Sequence, residues 1–104
     1  MPPKTDLIWM DGHYVPWDEA KVHVLVHGLH YGTGLFEGIR CYRTADGPAI
    51  FRLEDHLVRF ERSAATLFMD LPYDADELAD VSRRLVDTAS RWAENCAAER
   101  HAEL

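Results

Sequence analysis

The chain has 104 residues, 47% of them hydrophobic, which is enough apolar material for one small globular core. Eighteen acidic residues against eleven basic ones leave a formal charge of -7, and such a surface disfavours phosphate backbones and anionic lipid as partners. Met1 to Asp6 carries two prolines and no apolar run near the ~20 residues that span a bilayer, so neither a signal peptide nor a membrane anchor is expected, and the chain reads as cytoplasmic. Cys41 and Cys96 read as two buried, reduced thiols without a disulfide framework. Only Lys4 and Lys21 are available to any chemistry that needs an amine.

Leu7–Met10 and His13–Pro16 flank Asp11-Gly12, a dipeptide suited to the positive φ angles of a two-residue turn, and predict a β-hairpin. Trp17, Asp18 and Glu19 break the pattern. Val22, Val24 and Val26 then alternate with His23, Leu25 and His27 and read as strand. Gly28, Gly32, Gly34 and Gly38 mark a loop whose backbone takes conformations or close approaches that a Cβ forbids. Ile39–Thr44 and Pro48–Arg52 around Ala45-Asp46-Gly47 predict a second hairpin, so the sheet is mostly antiparallel.

After Leu53 the period changes. Leu53, His56, Leu57, Phe60, Ala64, Leu67 and Phe68 fall within one arc of a helix, with Glu54 and Asp55 in its first turn. Met69 to Tyr73 ends that helix. Asp74 and Glu77 have capping-box spacing before a second helix, along which Leu78, Val81, Leu85, Ala89, Trp92 and Cys96 form one stripe. Strands followed by two packing helices, with no linker between them, predict a single α+β domain over residues 1–104.

Three features bear on chemistry. His23, His27 and His30 suggest zinc, but in a strand the first two would stand about 13 Å apart, too far for one ion, so no metal site is expected. Gly32-Thr33-Gly34-Leu35-Phe36-Glu37-Gly38 resembles a dinucleotide loop but has Glu37 where a glycine is required and runs into strand, not helix. What it does offer is a flexible track bearing Tyr31, Phe36 and Arg40, an aromatic wall and a guanidinium suited to a small substrate with an apolar part and a carboxylate. On the first helix Arg62 faces solvent. Arg59 lies at the edge of the apolar arc, where it either pairs with Glu54, Asp55 or a loop acid, or turns its fork into a cavity to hold a phosphate or carboxylate.

The runs HGLHYGTGLFEGIRCY (residues 27–42) and FRLEDHLVRFERSA (residues 51–64), preceded by IWMDGHYVPWDEAKVHV, closely resemble the amino-terminal small domain of the branched-chain amino acid aminotransferases, fold-type IV enzymes dependent on pyridoxal 5'-phosphate. The resemblance covers about residues 7–80. D-amino acid transaminase and aminodeoxychorismate lyase share the hairpins and the helix but usually lack the quartet Glu37-Gly38-Ile39-Arg40, which favours the branched-chain group.

The resemblance implies that Arg59 grips the cofactor phosphate and that Tyr31, Phe36, Gly38 and Arg40 line the substrate pocket, Tyr31 serving that of a neighbouring subunit in a homo-oligomer. Full burial of a leucine, isoleucine or valine side chain there is worth roughly 1.5 to 3 kcal/mol. The family's reaction exchanges the amino group of these amino acids with 2-oxoglutarate. Its Schiff-base lysine lies in a large second domain, and neither Lys4 nor Lys21 matches it, so no catalytic residue is assigned and the chain alone is expected to be inactive and to bind the cofactor weakly or not at all. The helix pattern continues through Arg91–Cys96, where family members turn into a strand bearing further substrate contacts, and Ala97–Leu104 has no family counterpart. A non-catalytic assembly module using the Leu78–Cys96 stripe, or a piece of a fold-type IV lyase or D-amino acid enzyme, stand as the alternatives.

Overall fold

Asp11 and Gly12 both adopt positive φ, 52° and 87°, as a primed two-residue turn requires. In this computed structural model, which describes residues 5–103 and their side chains as far as Ala89, that turn joins β1 (Leu7–Met10) to β2 (His13–Pro16). The strands pair antiparallel, with Leu7 opposite Pro16 and Trp9 opposite Tyr14. A turn of 3-10 helix, Trp17–Glu19, follows. The fold is α+β, in two compact units: one ends at Lys21 and resumes at Val81, and the other is Val22–Asp80. In the first, Leu7, Ile8 and Trp9 line an apolar groove with Leu85, Val86 and Ala89 of the last helix.

The second unit corrects the reading of Val22–His27. No strand forms there; the chain turns at Val24-Leu25 and enters α1 (His27–Tyr31). Alternating β-branched residues favour a strand only where a neighbour accepts the ladder bonds. Here the bonds close locally: the Val26 amide donates to the His23 carbonyl at 3.0 Å, and the Leu25 amide to His23 Nδ1 at 3.0 Å. Gly32 ends α1 in the left-handed region, φ 65°, its amide donating to the Gly28 carbonyl at 2.9 Å.

The second hairpin is tighter than expected. β3 (Cys41–Thr44) pairs antiparallel with β4 (Gly47–Ile50) around Ala45-Asp46, so Gly47 is the first residue of its strand. Thr44 serves this turn, its hydroxyl donating to the Gly47 carbonyl at 2.6 Å and accepting from the Asp46 amide at 3.3 Å. Beyond the strand ends the Phe51 amide donates to the Arg40 carbonyl at 2.8 Å, and the Tyr42 and Phe51 rings meet edge-on at 6.1 Å. The two hairpins are separate two-stranded ladders. Cys41, expected buried, is exposed, because β3 has no covered face.

α2 (Leu53–Thr66) and α3 (Ala75–Glu103) supply the core of the second unit. Leu53 and Leu57 of α2 are buried with Ala79 of α3, and Ile50, Ala75 and Leu78 pack against them. The i, i+4 spacing of the two leucines puts both on one face, as the wheel predicts. The arc stops short of Leu67 and Phe68, however. Phe68 takes φ 56° and is 96% exposed. Its amide donates to the Ala65 carbonyl at 3.1 Å and that of Met69 to Ala64 at 2.9 Å, the two bonds of a Schellman ending. Asp74 caps α3: its Oδ1 accepts the Glu77 amide at 2.8 Å. Leu78, Val81, Leu85 and Ala89 of the expected stripe are half-buried, while the side chains of Trp92 and Cys96 lie outside the described residues.

Candidate functional site

Residues 33–40 form an irregular stretch between the cap of α1 and β3. It carries Glu37 to the exposed flank of α2, where His56 and Arg59 stand one helical turn apart. Arg59 Nε donates to Glu37 Oε2 at 2.8 Å and lies 3.1 Å from Oε1, while Nη2 donates to Oε1 at 2.6 Å. The carboxylate thus fills one edge of the guanidinium. His56 Nδ1 reaches the same Oε1 at 2.7 Å, which requires the imidazole proton on Nδ1 for that bond.

Glu37 is only 10% exposed, whereas Arg59 is 65% exposed. The hydrogen bonds from Arg59, then the one from His56, outweigh the cost of burial and hold the Glu37 carboxyl at about 2, against an ordinary 4.5. In return the Glu37 bonds and charge raise the Arg59 guanidinium above its usual range. Both partners are therefore ionised at neutral pH. Beside them Arg52, Asp55, His56 and Arg59 line a small cleft of about 90 Å³, in which Arg52 Nε donates to Asp55 Oδ2 at 2.8 Å.

Of the two roles open to Arg59, the structure shows the pairing with a loop acid. Phe36, directly before Glu37, is 90% exposed, and Tyr31, at the end of α1, is 73% exposed. The Tyr31 ring rests against that of His27 at 4.5 Å between centroids. Arg40 is exposed at the start of the second hairpin, and open space surrounds Gly38 and Gly34, contrary to the expectation that every glycine of the loop avoids a clash. Neither has a positive φ. Phe36, Gly38 and Arg40 therefore share a loop with the acid that anchors it, and Arg59 faces that loop from the helix. Spacing alone does not single out Glu37 and His56 as the partners of Arg59; the signal for them is an acid in the loop and an arginine on the flank of the helix.

The three histidines are engaged locally. His27 Nδ1 contacts Thr33 Oγ1, and His30 Nε2 lies 2.6 Å from the Val24 carbonyl. Since His27 stands in a helix, the strand spacing used against a shared ion does not apply. Among the described residues no group of three or more His, Cys, Asp or Glu is placed to hold a metal ion, and no helix is long and apolar enough to cross a membrane.

This α+β chain, with hairpins, helices and a loop acid clamped to an arginine on the first long helix, matches the model of the amino-transferase class IV family over residues 34–100; the chain belongs to that family. Within the family it is similar to branched-chain-amino-acid aminotransferases. That of Pseudomonas aeruginosa is 46% identical over 86 residues, which are 83% of this chain and 28% of the relative. That of Escherichia coli K12 is 45% identical over 83 residues, 80% of this chain and 27% of the relative. Among solved structures, a branched-chain amino acid aminotransferase from T.th., in complex with N-(5'-phosphopyridoxyl)-L-glutamate, aligns with a TM-score of 0.78 at 54% identity, over 81% of this chain and 28% of its own. The Escherichia coli structure gives 0.80 at 42% identity, over 84% and 29%. The chain thus spans a little over a quarter of the length of the relatives it matches.

Proposed function

We propose that the chain is the small domain of a branched-chain amino acid aminotransferase, which moves an amino group between leucine, isoleucine or valine and 2-oxoglutarate with pyridoxal 5'-phosphate. What carries the reading is the junction of the loop quartet Glu37-Gly38-Ile39-Arg40 with Arg59, made by hydrogen bonds of 2.6 and 2.8 Å. It ties the segment that favours the branched-chain group to the residue assigned to the cofactor. In this reading residues 1–104 count as one small domain of a cytoplasmic enzyme.

The donor chemistry fits the phosphate end of the cofactor. Glu37 occupies the Nε and Nη2 edge of Arg59, and the Nη1 side of the fork remains to hold an oxyanion. When bound, the cofactor supplies an electron sink that makes amino-group transfer feasible. Arg59 binds the phosphate, Phe36 and Tyr31 exclude water from the aliphatic side chain of the substrate, Gly38 leaves room for it, and Arg40 orients a carboxylate. Neither Lys4 nor Lys21 matches the lysine of the family, so in this reading the amine that holds the cofactor is not assigned to a residue of this chain.

Val22, Val24, Leu25, Val26 and Leu29 are exposed around α1, an apolar surface that favours self-association and a Tyr31 contribution to a neighbouring subunit. A chimera tests the whole reading: this chain's matching segment replaces that of the Pseudomonas aeruginosa relative. Leucine transamination within about tenfold of the parent is expected. A chimera that folds, carries the cofactor and prefers D-alanine would overturn the branched-chain assignment.

A further inference from the structure

We infer that Glu37 is a positioning residue for phosphate binding: it grips one edge of the Arg59 guanidinium so that the opposite edge is held ready for the oxyanion. The inference deepens the assignment of Arg59 to the cofactor phosphate and rests on it. Arg59 is long and 65% exposed, and left alone such a side chain samples many rotamers that binding would have to freeze. Glu37 is its opposite, with only 10% of its side chain exposed and its oxygens fixed by three donor contacts from Arg59 and one from His56.

The pairing is also directional. Nε and Nη2 lie on the same edge of the guanidinium, and both point at Glu37. Nη1 is left outside that grip, and among the described residues Glu37 is the acid that Arg59 pairs with. His56 adds to the fixation. Its Nδ1 donates to Oε1 at 2.7 Å and stands 3.4 Å from Arg59 Nη2, so a second donor holds the oxygen that Nη2 binds. A carboxylate that merely competed with phosphate would gain nothing from this second hold. One that positions the arginine does.

The test uses the 104-residue chain and pyridoxamine 5'-phosphate, which lacks an aldehyde and forms no Schiff base with Lys4 or Lys21, with pyridoxamine as the phosphate-free control. Glu37→Gln is expected to weaken pyridoxamine 5'-phosphate binding about threefold to tenfold, by loss of preorganisation, and to leave pyridoxamine binding unchanged. Unchanged or tighter binding of the phosphate form by Glu37→Gln, with circular dichroism showing intact helix, overturns the inference while the Arg59 assignment stands. Equal affinity of the parent chain and Arg59→Ala for the phosphate form instead removes the Arg59 assignment itself. A second readout needs no variant at position 37. Exchange of the Arg59 Nε proton with solvent, followed by nitrogen-15 NMR, is expected to stay slow when pyridoxamine 5'-phosphate is added. Faster exchange on addition means that the phosphate displaces Glu37, which makes Glu37 a competitor and refutes its positioning role.

Discussion

His56 Nδ1 and Arg59 Nη2 converge on one oxygen, Glu37 Oε1, at 2.7 and 2.6 Å, so a single loop carboxylate ties down two side chains of α2. The residues on either side of Glu37 add little to this hold: Phe36 stands in solvent and Gly38 in open space. The tie between the loop and His56 and Arg59 therefore depends on the charge of one residue.

That dependence has a sign. The Glu37 carboxyl is at about 2 in the fold and near 4.5 when unpaired, so the folded state binds fewer protons than the unfolded one in this window. The stabilisation is fully present above about pH 4.5 and is lost as pH falls through 4.5 towards 2. Thermal midpoints measured from pH 7 to pH 2 should show the parent chain above Glu37→Gln at neutral pH, with the gap closing at the acid end. A gap that persists to pH 2 would mean that the glutamate acts through packing, not through charge.

Leu57 should be a costly position to truncate in the second unit. It is buried against Leu53 and Ala79, and Leu57→Ala removes about 2 to 5 kcal/mol from a fold whose total margin is on the order of 5 to 15. Phe36→Ala, at a side chain 90% exposed, should change stability by less than about 0.5 kcal/mol. Urea unfolding followed by far-ultraviolet circular dichroism compares the two. If Phe36 is structural, its variant will fall as far as that of Leu57.

Phe68 occupies the position after α2 that glycine usually takes, at φ 56° and almost fully solvated. A non-glycine residue there costs roughly 1 kcal/mol, and the exposed ring offers no packing in exchange. Phe68→Gly should therefore raise the unfolding free energy by about 1 kcal/mol, read from the urea midpoint at constant slope. A decrease would assign the ring a contact in the unfolded or assembled state.

Asp74 should behave as a helix cap. Asp74→Ala loses the 2.8 Å bond to the Glu77 amide and should cost about 1 kcal/mol, and Asp74→Asn, which keeps an acceptor, should cost much less. Equal losses in the two variants would point to the negative charge beside the helix N-terminus as the source of the effect.

The features legible in the sequence are those decided within a few residues. Asp11-Gly12 needs only its own φ preferences, Leu53 and Leu57 only the period of a helix, and Asp74 only the amide three positions on. The stretch Val22–Val26 misleads because β-branched residues describe a strand whose partner the pattern cannot supply. Cys41 misleads for a related reason: its strand belongs to a two-stranded ladder without a covered face. At the site, the wheel puts Arg59 on the correct flank of its helix, with a loop acid among its possible partners. Which acid it meets depends on how a loop 22 positions away returns to the helix, and no helical wheel contains that.

The ion pair also closes a segment of chain that has internal structure of its own. The segment between Glu37 and Arg59 contains the whole β3–β4 hairpin, Cys41–Ile50, whose ends are already joined by its own ladder and by the Phe51 bond to Arg40. Closing a chain segment costs entropy that grows with the length left free. Once the hairpin has zipped, over on the order of microseconds, only the few residues on either side of it remain to be gathered. The Glu37–Arg59 contact is therefore coupled to the hairpin it encloses, and a variant with a weakened Ala45-Asp46 turn should weaken it by about 0.6 kcal/mol without any change at either end.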